Sequence, residues 1–326
     1  MNKPFHERRR QQFATEAHVT AYEKWLRESI SLWQQALPEG DTEEQKVSLA
    51  ASLVAGDTYQ LFSLRYTAGE SIEQLRSELD GVVSAYERYQ KALAEYEQIP
   101  KITVFSLKEL ADYERCMQLI GLCYLLHRRD LLPRIAALQD PGYADEDTLY
   151  EDLLCYELQD RFDVDALYWR EPYERLVHAM YRDTDEESVE DIQKYVLAWY
   201  PSFKYAPWHD GHLRINGTDG DYFGYWAFEA GAVAYLLDLD DSAITHMVYP
   251  KDLVAWARAN KHLSEEAQNA SQHGRCEANQ PCPREGYWFT PAQVGSRRFF
   301  RVGEMMPEFK SGYGVTIWQW DRNQAP

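Results

Sequence analysis

No stretch of this 326-residue chain approaches the roughly 18 apolar residues of a membrane helix, and polar sequence follows the basic cluster Lys3, Arg8, Arg9, Arg10 where a secretory signal needs an apolar core. A membrane partner is therefore not expected, and a cytoplasmic location is. Positive charge is also scarce: 34 Lys and Arg stand against 53 Asp and Glu, a formal charge of −19. Nucleic acids and anionic bilayers are gripped through Lys and Arg, so this balance argues against both and for a basic partner. The five cysteines (Cys116, Cys123, Cys155, Cys276, Cys282) are odd in number and form no C-x-x-C pair, which fits free thiols in a reducing compartment, with a bridge between Cys276 and Cys282 or a metal held by them and outside ligands as the alternatives. The G-x-S-x-G, Walker A and dinucleotide-binding patterns are missing, as are heptad runs and internal repeats. Neither a catalytic residue nor a cofactor is expected.

What is present is helical periodicity. Val19, Tyr22, Leu26, Ile30, Trp33 and Leu37 recur at three-and-four spacing over Ala14 to Leu37, stopped by Pro38 and Gly40. Further helices are predicted over Thr42 to Tyr66, over Ser71 to Tyr96 with Ser71 and Gln74 as a capping box, and from near Ser106 to Leu126 with Glu109 at the capping-box position. Asp130 to Pro133 and Gln139 to Gly142 punctuate the chain. Helices near Thr148 to Leu158, Glu174 to Tyr181, Ser188 to Tyr200, Tyr222 to Leu237 and Pro250 to Asn260 follow, the fourth after a turn-rich loop. The expected fold is mainly α: two packed domains of antiparallel helices, 1–138 and 139–270, then a short, partly β module at 271–326. Cys123 and His127 share a helix face but lack an orienting acid, and read as core.

Charge is uneven. Between Asp140 and Asp191 stand eighteen acids, four arginines and no lysine. The densest parts, Asp145, Glu146 and Asp147 with Glu151 and Asp152, then Asp183, Asp185, Glu186 and Glu187, sit at helix starts, where carboxylates also oppose the macrodipole. Together with Asp219 and Asp221 they are the candidate contacts for a basic partner, which such a field would steer.

From Ala206 to Arg258 an unusual pattern carries little recognisable chemistry. Its centre runs Gly224, Tyr225, Trp226, Ala227, Phe228, Glu229 through Ala234, flanked by Trp208 and followed by Asp241, Tyr249 and Pro250. Small residues there allow close helix approach, and Glu229, a carboxylate among aromatics, needs a partner from a neighbouring helix. This pattern resembles the C-terminal helical domain of PoNi-type immunity proteins of bacterial polymorphic toxin systems. The resemblance implies an inhibitor that occludes a cognate DNase toxin delivered by a contractile, type VI secretion machine. It leaves open a homodimer and two rival functions: an adaptor that carries the toxin without inhibiting it, and a metal-dependent hydrolase built on His209 and His212. H-x-x-H on a glycine-rich loop lacks the helical register that sets two imidazoles on one face, so no metal is expected.

The tail differs in kind. Cys282 to Ala292, Gly295 to Phe300 and Tyr313 to Asp321 resemble a small module recurring in toxin and immunity loci. Alternating aromatics predict two or three strands with Tyr287, Phe289, Ile317 and Trp318 inward, and Arg297, Arg298 and Arg301, which beside aromatics could bind nucleic acid, are expected instead to pair with the acidic body of the same chain.

Overall fold

The computed structural model describes residues 4–263, 275–282, 284–293, 295–309 and 316–321. Two compact units are formed, Met1–Asn260 and Lys261–Pro326.

The first is all helix and loop. After the short α1 (Phe5–Arg8), α2 (Glu16–Trp33), α3 (Glu43–Thr67) and α4 (Ile72–Glu97) follow the apolar periodicity, and Thr15, Thr42 and Ser71 cap them by accepting from the amide three residues on. α5 (Leu110–Leu125) starts later than expected. Ser106 does not cap it; its amide donates to Asp112 Oδ2 at 2.9 Å, so 106–109 closes as a turn instead. The expected boundary near 138 falls inside α6 (Leu132–Tyr143), a helix that the prolines concealed: Pro133 sits in the first turn and Pro141 in the last, where the lost amide does least harm. Gln139, buried here, bonds both the amide and the carbonyl of Phe105. One hydrophobic core then runs from Phe5 to Ala257 across both halves.

α7 (Thr148–Cys155), α8 (Arg170–Met180) and α9 (Asp185–Ser202) come next, followed by α10 (Phe228–Leu236) and α11 (Lys251–Ala259). The interior is rich in tyrosine, and several hydroxyls find carboxylate partners: Tyr66 donates to Asp252 (2.6 Å), Tyr113 to Asp147 (2.9 Å) and Tyr150 to Asp140 (2.8 Å).

The predicted helix over Tyr222 to Leu237 forms only from Phe228. The six residues before it are an extended, mostly buried strap, because their backbone groups bond to other parts of the chain rather than to each other. His18 Nε2 donates to the Tyr222 carbonyl (2.9 Å), Thr67 Oγ1 to Phe223 (2.7 Å), and Gln118 Nε2 to Trp226 (2.6 Å). Gln11 takes the Tyr225 amide (2.9 Å), donates to its carbonyl (2.6 Å) and also accepts from the Tyr222 hydroxyl. Gly224 has φ +116, and a Cβ there would collide with Thr67 and Trp226. The expected close approach is made at Gly231, where a methyl would lie 2.8 Å from Pro250 Cγ.

The second unit is an antiparallel sheet of β1 (Arg275–Glu277), β2 (Gly286–Phe289), β3 (Arg298–Phe300) and β4 (Ile317–Trp320), in the order β1-β4-β2-β3. Trp288 faces Trp320 and Cys276 faces Trp318 in register. The inward set is Trp288, Phe300 and Trp318 with Cys276, Cys282 and Met306. Trp318 is inward as expected, whereas Tyr287 and Phe289 are half-buried and Ile317 is exposed: strand register, which adjacent aromatics left open, put Trp288 inside. Arg297 pairs with Asp321 and lies over Tyr287, an ion pair within this unit. The proposed limit at 270 and residues Tyr313 to Val315 lie outside the described residues.

Candidate partner-binding site

The acidic segment divides into carboxylates that hold the chain and carboxylates that face outward. Asp147 is fully buried: it caps α7 through the Tyr150 amide (3.0 Å), accepts from the Tyr113 hydroxyl, and takes the Tyr168 amide (3.0 Å). Burial pushes its carboxyl up, against those three bonds. Glu151, 1% exposed, accepts from Arg161 Nε (2.7 Å) and Nη2 (2.8 Å), and Asp140 takes the other edge of the same guanidinium (2.9 Å). Asp191, equally buried, is met by Arg182 (2.6 Å) and Arg175 (3.5 Å). Asp147 and Glu151 are therefore not surface contacts, contrary to expectation: their position at a helix start served capping and an interior ion pair.

These bonds set the rest outward. With Arg161 clamped and the Phe162 amide donating to Glu151 (3.2 Å), the 156–169 loop folds back over α7 and presents Phe162, Asp160 and Asp163 to solvent. Tyr181, 64% exposed, donates to both oxygens of Asp152 (2.8 Å) and so links α7 to the turn that precedes α9. There Asp183, Asp185, Glu186 and Glu187 are exposed, the last three in the first turn of an eighteen-residue helix capped by Thr184. Asp145 and Glu146 are exposed as well; Glu146 meets the Tyr168 hydroxyl (3.1 Å). All four arginines of the stretch are engaged, Arg170 with Glu174 and the others with buried acids. The outward acids thus form a face whose local cations are already taken, and Tyr156, Phe162 and Tyr181 stand exposed among them. Sequence reasoning did not single out these three aromatics: it placed Tyr156 and Tyr181 inside predicted helices, and their exposure depends on how those helices pack.

Asp219 and Asp221 lie elsewhere. Asp219 closes a tight turn with Asn216 (3.0 Å both ways), and Asp221 pairs with Arg214 (2.8 and 2.9 Å). In the same loop His209 stacks on Tyr200 with ring centres 4.1 Å apart, and His212 Nδ1 meets the Tyr225 hydroxyl at 2.8 Å. Among the described residues no group of three or more His, Cys, Asp or Glu side chains is placed to hold a metal ion.

The motif residues are internal. Glu229 Oε1 accepts from Tyr195 (2.6 Å) and Trp199 Nε1 (3.1 Å), while Oε2 has no partner among the described residues. Burial raises its carboxyl to about 7. Glu114, bonded to Trp208 Nε1 (3.1 Å) and Gln118 (2.7 Å), is raised to about 8, by burial first and by Glu229 in addition. Trp226 bonds Thr67 and stacks on Phe228, and Asp241 accepts from Tyr249 (2.7 Å) and Arg258 (2.6 Å). Trp208, Gly224, Tyr225, Trp226, Phe228, Glu229, Asp241 and Pro250 build the scaffold and present no reactive atom outward.

The crystal structure of protein PA2201 from Pseudomonas aeruginosa aligns with a TM-score of 0.60 at 19% identity, covering 78% of this chain and 92% of that one, a likeness of fold. No curated protein matches. Residues 145–253 match the family model for the C-terminal region of PoNe immunity proteins (PoNi). Over that region the chain is similar to PoNi-type immunity proteins, a family of antidotes to polymorphic toxins.

Proposed function

We propose that the protein binds a basic nuclease toxin of the DNase class one to one, in the cytoplasm, and neutralises it by covering its active site or DNA-binding face. The observation that carries this reading is the outward acidic face of α7 to α9, with Tyr156, Phe162 and Tyr181 exposed within it. A surface that grips DNA phosphates offers lysines and arginines, and exposed carboxylates without local counter-ions are their complement. The field accelerates encounter; aromatic anchors slow dissociation. The protein contributes no catalysis in this scheme, and delivery of the toxin by a type VI machine belongs to the same proposal.

The test is co-expression of the toxin-like protein encoded beside this one, with and without this chain, followed by co-purification and a DNA-cleavage assay on the isolated pair. A tight complex with cleavage suppressed is expected. A complex that still cuts DNA would sink inhibition in favour of a carrier role, and a toxin left free and lethal would remove the partnership.

A further inference from the structure

A second surface, on the N-terminal helices, has its own chemistry. Between α2, α3, α4, the 104–115 segment and the 207–223 loop lies a cleft of about 510 Å³, walled by Tyr22, Trp25, Tyr89 and Phe223. Asp57 lines it, although only 8% exposed. Its one hydrogen-bond partner among the described residues is the Ser29 hydroxyl (2.6 Å), and no Arg or Lys among them forms an ion pair with it. A carboxylate so far withdrawn from water and left without a cation is an unfavourable arrangement that a cation from outside would relieve. Burial accordingly raises the Asp57 carboxyl. Of the other charges of the cleft, Asp112 takes the Ser106 amide and Asp221 is paired with Arg214. Arg115 lies 3.5 Å from the Tyr59 ring centre and donates to Tyr86, while its Nε has no hydrogen-bond partner among the described residues.

Trp25 is 54% exposed at the rim. Leu49 and Leu53, one turn apart and both more than 40% exposed, precede Gly56 and Asp57 on α3, while Leu32 is exposed on α2, which the Ser29–Asp57 and Tyr22–Gln60 bonds hold against α3. An apolar apron beyond the cleft suits a protein surface; a small free cation has no use for it. Aromatic walls around one desolvated carboxylate favour the planar guanidinium over the more strongly hydrated ammonium.

We propose that this cleft receives an arginine side chain of the basic protein partner, its guanidinium against Asp57 and its plane along the Trp25 ring. The identity of that partner rests on the immunity reading above, and the experiment separates the two. Ac-Gly-Arg-Gly-NH2 and its citrulline counterpart, equal in shape but uncharged, are titrated against the full chain while the indole N–H signal of Trp25, assigned with Trp25→Phe, is followed by NMR. The arginine peptide is expected to shift that signal, citrulline to leave it in place, and Asp57→Asn to abolish the response. An unmoved signal, or equal movement with citrulline, overturns the proposal. With the co-expressed toxin, Asp57→Asn and Trp25→Ala should each weaken the complex by at least about tenfold without lowering the thermal midpoint. Unchanged affinity in both variants, with neutralisation intact, overturns the cleft as an interface and leaves the immunity reading standing. A wild-type chain that neither binds nor neutralises the toxin removes that reading instead, and the peptide titration still decides the cleft.

Discussion

Glu151 and Glu186 are the same residue type in the same acidic segment, and they do opposite things. Glu151 is buried against Arg161 and fixes a loop; Glu186 is exposed on the first turn of α9 and forms no hydrogen bond or ion pair with a side chain among the described residues. The contrast extends to Asp147, Asp191, Glu114 and Glu229 on the inner side, and to Asp145, Glu146, Asp183, Asp185 and Glu187 on the outer. It teaches that a run of negative charge is two populations, and that the buried one consumes the local arginines which would otherwise neutralise the exposed one.

The contrast can be broken most forcefully at Arg161. Arg161→Ala leaves Glu151 charged and buried, so urea unfolding should show a loss of about 3–5 kcal/mol; a loss under 1 kcal/mol would mean that the pair is solvated and the division of roles mistaken. Next in size is the pH response of the inner pair. Because the folded carboxyls of Glu229 and Glu114 are raised to about 7 and about 8, their contribution to stability is complete below the unfolded carboxylate range. It is lost as pH rises through 7 and 8. Stability should therefore fall from pH 5 to pH 8.5 through these groups. The Glu114→Gln, Glu229→Gln double variant should flatten that fall; parallel curves for wild type and variant would place the pH dependence elsewhere. The smallest effect on the fold, and the largest on the partner, belongs to the outer set. Converting Asp183, Asp185, Glu186 and Glu187 to lysine should move stability by no more than about 0.5 kcal/mol per residue. Stopped-flow association with the toxin should meanwhile slow by about tenfold or more and lose its salt dependence. Unaltered kinetics would shift the interface to another face.

Legibility followed the same physics. α2, α3 and α4 could be read because their apolar spacing and their Thr and Ser caps are local signals, and Ser71 does cap α4 through Gln74. α6 was hidden because prolines tolerable at helix ends look like breakers in a string of letters. The 222–227 strap was hidden for a different reason: its composition suits a buried helix, and the atoms that bond its backbone come from Gln11, His18, Thr67 and Gln118, up to 214 residues away. In the acidic segment the count of carboxylates was visible, but not which of them would meet Arg161 or Arg182. Asp57 gave no signal at all, one acid in a helical run, until Trp25, Tyr89 and Phe223 were gathered around it.

The sequence by itself therefore determined the helical class, the acidic character of residues 140–191 and the PoNi-like pattern of the C-terminal region, because periodicity, charge and local motif are properties of neighbouring residues. Tertiary structure alone decided which carboxylates are buried, where the strap leaves the helix and which aromatics reach solvent, because burial and counter-ion supply depend on atoms that the chain brings together only when it folds.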